Sequence, residues 1–270
     1  GKRLVASSPE VRTDITYEFR IVDMPEPNAF ALPGGKVYVS RGLLALLNSE
    51  DELANAVGHE IGHVAARHHL KTALQRTPFV PVQIATGLAA GVLELATLPL
   101  GPLGAPVRPV GAAVALIGEA PGALYLAGYS RGQETEADAL GQKFAAAGGW
   151  DPAAMSRVME ALARDERLHG GDPGHQSFFA THPSPPDREE RTRRQAAELT
   201  RADPPPFARD RAHFIVALDG LLVGDSAEGG VVDGTRFLHV DLDFQLAFPD
   251  GWKVENGVNN VAAIPADAKA

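Results

Sequence analysis

The stretch His59-Glu60-Ile61-Gly62-His63 sets two imidazoles four residues apart, with a carboxylate beside the first. In a helix, residues four apart stand on one face about one turn from each other. Two imidazoles so placed can bind one zinc ion, each at a metal–nitrogen distance of about 2.1 Å. Glu60 cannot share their direction fully. It is placed to hold a water on the metal rather than the metal itself. The same pattern occurs by chance in ordinary helices, so the surrounding residues must support it.

A zinc centre that acts on water needs a third protein ligand and one open position. Glu134 and Glu136 are the nearest carboxylate candidates. They lie about 200° apart around a helix, so only one of them can face the metal. Glu134 shares its face with Asp138. There Asp138 could accept the outer N–H of a ligand histidine, fixing its tautomer and raising its basicity. That pairing favours Glu134. His182, between Phe178-Phe179 and Pro183, reads either as a loop histidine, as a stabiliser of a developing oxyanion, or as an extra metal contact. His68 and His69 follow the motif at helical angles that miss its face, and read as solvated or helix-end histidines.

These residues need helices, and the sequence predicts them. Ser49 with Glu52 reads as a capping box, so the helix carrying the motif should begin near Glu50; Leu53, Ala56, Val57, Val64 and Ala65 are apolar at helical spacing. Ser130 with Gln133 is a second capping box, opening a helix whose apolar face is Ala137, Leu140, Phe144 and Ala145 and whose stop is Gly148-Gly149. Asp151-Pro152 caps a third, with Met155, Val158, Met159 and Leu162 on one face. The helix over residues 187–199, with Arg188, Arg191, Arg193 and Arg194, reads as a solvated face.

Before the motif comes a small sheet. Ile15, Tyr17, Phe19 and Ile21 alternate with polar residues as a half-buried strand; residues 28–32 and 36–40 read as two more, joined by Pro33-Gly34-Gly35. An edge of this sheet could take an extended peptide as an added strand. Ser40 should cap a short helix through Leu47.

Residues 77–129 hold only Glu94, Arg108 and Glu119 as charges. Those charges, with Gly87, Gly91 and Pro121, argue against transmembrane helices. The segment reads as two buried helices, or as an apolar lid or patch that meets a membrane or hydrophobic partner. Pro204-Pro205-Pro206 marks a boundary, and residues 214–222 suggest one more helix. Beyond Val231, Leu242, Phe244, Leu246 and Phe248 alternate, Pro249-Asp250-Gly251 turns, and Trp252 and Val254 resume, which predicts a β-hairpin. That tail either packs on the preceding residues or begins a further domain.

With 270 residues, 44% of them hydrophobic, the chain can bury a sizeable core. A net charge of −9 and the absence of any basic run with interleaved aromatics argue against a nucleic-acid partner. There are no cysteines, which excludes disulfides and thiolate ligands. Residues 1–5 lack the apolar core of a signal peptide.

Four segments occur in order: Asn28 to Gly35, His59 to His63, Ser130-Arg131 through Glu134 to Ala137-Asp138, and Thr181-His182-Pro183 with Arg188. Together they resemble metallopeptidase family M48, over roughly residues 15–200. The resemblance implies an α+β, mainly helical zincin-like (gluzincin) fold with a small β-sheet. It implies one Zn2+ per chain held by His59, His63 and Glu134, with Glu60 as general base, Asp138 behind a ligand and His182 near the active site. On that basis residues 1–224 form a zinc metallopeptidase domain and residues 225–270 a β-rich segment. The expected substrate is polypeptide, unfolded or misassembled, and the expected setting is the periplasm or another extracytoplasmic compartment, in envelope protein quality control. The alternative is a chaperone-like, client-binding factor whose zinc site is latent or autoinhibited.

Overall fold

The computed structural model of the chain describes residues 1–8, 10–76, 128–169, 178–183, 187–203, 210–224, 229–256 and 261–265. The predicted helices of the apolar segment fall on residues 77–127, outside the described residues, as does most of the polar loop before Phe178. Among the described residues no helix is long and apolar enough to cross a membrane.

Three short strands, β1 (Glu18–Val22), β2 (Ala29–Leu32) and β3 (Lys36–Ser40), make one sheet in the order β1-β3-β2. The turn between β2 and β3 uses Gly34 and Gly35 at φ +89° and +87°, a region glycine adopts without steric penalty. β2 runs antiparallel to β3 and sets Ala29 opposite Val39 and Ala31 opposite Val37. All four are buried, so the alternation of the two strands turns one small, apolar face inward. Phe30 and Tyr38 stack on the other face, centroids 4.9 Å apart. β1 starts three residues later than its alternation suggests, and Ile21 is 66% exposed rather than half-buried. As an edge strand, β1 lies beside the helical cover rather than under it.

That cover is α3 (Glu50–Ala65), which follows α1 (Lys2–Ser7) and α2 (Arg41–Leu46). Ser40 caps α2 through the Leu43 N–H as expected. Ser49 Oγ accepts from the Glu52 N–H at 3.2 Å and opens α3, but Glu52 reaches back one residue further, to the Asn48 N–H at 2.7 Å. Only half of the predicted capping box forms. After Ala66 the chain turns through Arg67, a non-glycine residue at φ +56°, into α4 (His68–Arg76).

α5 (Arg131–Ala147) opens with its full capping box and lies against α3. The two backbones approach so closely that a Cβ on Gly141 would stand 2.6 Å from the His59 nitrogen, and one on Gly62 2.9 Å from the Ala137 oxygen. Absent side chains at Gly58, Gly62 and Gly141 therefore set the spacing of the helices that carry the candidate residues. α6 (Ala154–His169) buries Met155, Val158, Met159 and Leu162 as predicted, though it starts two residues after Pro152. The short α7 (Phe178–Thr181) and then α8 (Arg188–Ala197) follow. α9 (Arg211–Ala217) sends Phe214 into the same core.

The tail departs from expectation. β4 (Val231–Asp233), β5 (Arg236–His239) and β6 (Phe244–Ala247) form an antiparallel meander; β7 (Trp252–Asn256) pairs with β8 (Val261–Pro265). The predicted hairpin across Pro249-Asp250-Gly251 does not form. Its first strand pairs backward with β5 and its second forward with β8, so the turn joins two sheets.

Gly141→Ala should destabilise the protein by roughly 1–3 kcal/mol, because the added methyl meets backbone that cannot rotate away. Gly132→Ala, at an exposed position in the first turn of α5 where a Cβ would approach only Ser130 Oγ at 4.0 Å, provides the comparison. Urea denaturation of both variants measures the difference.

Candidate metal centre

α3 points His59, Glu60 and His63 toward α5, which returns Glu134 and Asp138; His182 arrives from the end of α7. All six are buried. His182 is held by its N–H on the Phe178 carbonyl and by the Phe178 ring stacked on its own, centroids 4.4 Å apart.

The donor atoms of His59, His63, Glu134 and His182 all lie within 4.8 Å of one another. His63 Nε2 and His59 Nε2 are 2.9 Å apart. Glu134 Oε1 is 3.4 Å from His63 Nε2, and Oε2 is 3.5 Å from His59 Nε2. His182 Nδ1 is 3.3 Å from His59 Nε2 and 3.2 Å from Glu134 Oε1. Four ligands at about 2.1 Å around a tetrahedral ion stand about 3.4 Å from each other. The donor spacing fits that figure.

The chemistry of the set also calls for a cation. The outer nitrogen of His59, Nδ1, lies 3.0 Å from Asp138 Oδ1, although its N–H does not aim straight at the oxygen. The outer nitrogen of His63 meets His68 Nδ1 at 2.9 Å. With protons on those outer nitrogens, both Nε2 atoms carry lone pairs that face each other, which is unfavourable unless a positive ion lies between. Glu60, Glu134 and Asp138 are three buried carboxylates, and Arg188 is the one guanidinium buried with them to the same extent among the described residues. A divalent ion balances that excess. Both Glu60 oxygens are buried without a hydrogen-bond partner among the described residues.

Arg188 ties the acids together. Its Nε donates to Asp138 Oδ2 and its Nη2 to Oδ1, both at 2.8 Å, and Nη2 stands 3.0 Å from Glu134 Oε2. Arg191 adds a contact to Asp138 at 3.3 Å. Burial alone would raise the Asp138 carboxyl, but Arg188 and His59 hold it below its ordinary value. Burial likewise works against the Glu134 carboxylate, yet His182, His63 and His59 keep it well below the usual range. Burial pushes the Glu60 carboxyl up, opposed in part by His182 and His59. Burial and His59 push the His63 imidazole well down, so it stays neutral as a ligand must. For His182, burial is outweighed by Glu134 and Glu60, which raise it.

The structure thus brings together every singled-out residue. Glu134 lies in the donor set, whereas Glu136 points away, half exposed, to His68 at 3.1 Å and Lys71 at 3.6 Å. Two expectations need correction. His68 and His69 stand at a helix end, the start of α4, but are buried rather than solvated, because the left-handed turn at Arg67 breaks the helix and folds α4 back beside the centre. Arg188 is 1% exposed, on a helix whose other arginines made it read as a solvated face. Tyr129 was not singled out at all. It stacks on His63 with centroids 3.8 Å apart, and its hydroxyl meets His69 Nδ1 at 2.9 Å. A tyrosine one residue before a helix cap carries no sequence signal of this.

The profile of the family described as Peptidase family M48 matches residues 2–196, and the chain belongs to that family of metallopeptidases. Proteins of two kinds are among its curated relatives. It is 30% identical over 200 residues to the beta-barrel assembly-enhancing protease of Yersinia pestis, covering 74% of this chain and 38% of that protein. It is 36% identical over 198 residues to the putative beta-barrel assembly-enhancing protease of Vibrio cholerae serotype O1, covering 73% and 38%. It is 34% identical over 184 residues to the mitochondrial metalloendopeptidase OMA1 of Schizosaccharomyces pombe, covering 68% and 47%. The chain spans less than half the length of each of these relatives.

Glu134→Ala should abolish metal uptake at micromolar metal, whereas Glu136→Ala should still take up one ion per chain; elemental analysis of dialysed protein decides. Arg188→Ala leaves two buried carboxylates uncompensated and should cost about 3–5 kcal/mol in the metal-free protein. Arg193→Ala, which breaks only exposed pairs with Glu189 and Glu190, should cost under about 1 kcal/mol. Urea titrations compare them.

Proposed function

We propose that the chain is a zinc-dependent endopeptidase with a zincin-like, gluzincin arrangement. The observation that carries this reading is the buried cluster of His59, His63 and Glu134, at tetrahedral spacing, beside a Glu60 whose oxygens have no hydrogen-bond partner among the described residues. Zinc bound there would supply a Lewis acid that lowers the pKa of water and polarises a scissile carbonyl. Glu60, buried beside the cluster, takes the proton of the attacking water and delivers it to the leaving amine. Asp138 orients His59, and Arg188 keeps both Asp138 and Glu134 ionised. β2 is an edge strand of its sheet, packed on α3. Among the described residues no strand pairs with its other side, and that side could take an extended polypeptide as an added strand.

His182 Nδ1 sits in the donor set, and its Nε2 is 3.7 Å from Glu60 Oε1. That position suits a group that stabilises the oxyanion. It equally occupies the corner where water would bind, which favours a second reading: a client-binding factor whose zinc centre is latent or autoinhibited.

The bacterial relatives' name, beta-barrel assembly-enhancing protease, supports unfolded or misassembled polypeptide as substrate and an extracytoplasmic, periplasmic setting. We assign residues 1–224 to the peptidase domain, a reading supported by Phe214 in its core and by Arg41 donating to the Leu222 carbonyl at 3.2 Å. Residues 225–270 are the separate β-rich segment.

Glu60→Gln should retain its metal and lose nearly all hydrolysis of an unfolded polypeptide. Wild-type cleavage should stop with a chelator and return with zinc. Full activity of Glu60→Gln would remove Glu60 from the mechanism. Binding without cleavage by wild type, with cleavage by His182→Ala, would establish the latent centre.

A further inference from the structure

The two motif histidines are supported in different ways. His59 turns its outer nitrogen to Asp138, which Arg188 clamps from the other side. Among the described residues, His63 has no carboxylate at its outer nitrogen. It has a second imidazole, His68, with Nδ1 to Nδ1 at 2.9 Å and the rings inclined at 72°.

Two neutral imidazole nitrogens at that separation share one proton, and the rest of the geometry decides which ring carries it. His63 Nε2 points into the donor cluster, 2.9 Å from His59 Nε2 and 3.4 Å from Glu134 Oε1. As a ligand atom it must present a lone pair, so the proton of His63 is on Nδ1 and His68 Nδ1 accepts it. His68 then carries its own proton on Nε2. That nitrogen is 3.1 Å from Glu136 Oε2, a pure acceptor. Lys71 Nζ, 3.6 Å from the same oxygen, holds the carboxylate in place. Each link therefore sets the direction of the next, from a half-exposed acid to a buried ligand. If His68 took the opposite tautomer, two N–H groups would face each other at 2.9 Å and Glu136 would face a lone pair. Tyr129 stacks against the face of His63 and restricts its tilt. Glu136 is two residues from Glu134 on α5, so one helix contributes a donor to the cluster and an anchor to the chain behind it.

We propose that His68 is a positioning residue for metal binding: with Glu136 it fixes the tautomer and ring orientation of His63, so that Nε2 stays directed at the cation. The proposal rests on the reading of His63 as a metal ligand. It concerns how tightly the centre holds its ion, and it needs neither group to touch substrate.

The test is zinc affinity of the full chain, measured by competition with a chromophoric chelator, alongside thermal unfolding of the metal-free protein. His68→Leu fills the volume but offers no acceptor; His68→Asn places an amide oxygen near the position of Nδ1. We expect His68→Leu to weaken zinc binding by about 10–100-fold, and His68→Asn to recover most of that loss. The two metal-free variants should unfold at similar temperatures. The visible spectrum of the cobalt(II) form should shift in His68→Leu and less in His68→Asn. Glu136→Gln, on the exposed end, keeps an acceptor and should bind zinc nearly as wild type, while Glu136→Lys should weaken it several-fold; this pair reports even where His68→Leu does not fold. Wild-type affinity in His68→Leu, equal losses in Leu and Asn variants, or no difference between the Glu136 pair would overturn the proposal. If wild type itself binds no metal, the peptidase reading falls too; if wild type binds zinc and cleaves while His68→Leu matches its affinity, only this inference falls.

Discussion

Buried charge is the constraint around which this structure is arranged. Glu134 and Asp138 sit one turn apart on α5 with no access to water, and the Arg188 guanidinium spans both. Without it, two like charges would be forced together in a medium that screens them poorly. With it, the acids stay ionised, one within a group of donors that could hold a cation and the other beside His59. A divalent cation held there would offset the negative charge that remains with Glu60 counted. Helix packing follows the same requirement: the acids reach the histidines because glycines let α3 and α5 come within van der Waals contact of each other's backbone.

The parts that were legible in the sequence share one property, that their signal lies within a few residues. The motif on α3, the capping box at Ser130, the buried stripe on α6 and the glycine turn between β2 and β3 are all local patterns. That Glu134 and Glu136 face different ways was legible as well, because helical angle sets them apart, and Glu134 shares its face with Asp138. The parts that were not legible depend on partners distant in the chain. His68 was misplaced because angles extrapolated along α3 fail once a non-glycine residue, Arg67, adopts a left-handed conformation. Arg188 reads as solvated from its charged neighbours, and only the fold shows that it and Arg191 turn toward Asp138 while Arg193 and Arg194 stay exposed. The turn at Pro249-Asp250-Gly251 is real, but a turn signal does not say which strands pair across it.

Family membership and geometry inform different levels. The match over residues 2–196 covers the helices and the first sheet, and stops short of α9 and the tail. The relatives differ among themselves in the compartment their names imply, bacterial β-barrel assembly on one side and the mitochondrion on the other. What they have in common with this chain is therefore the part that builds the centre.

The cluster draws its members from α3, α5, α7 and α8, that is, from residue 59 to residue 188. During synthesis the motif histidines emerge first and the compensating arginine last. A nascent chain that ends before α8 has its acids uncompensated and the centre unclosed. The order of residues along the chain thus acts as a timer: the buried acids gain their counter-charge only once the chain has reached α8.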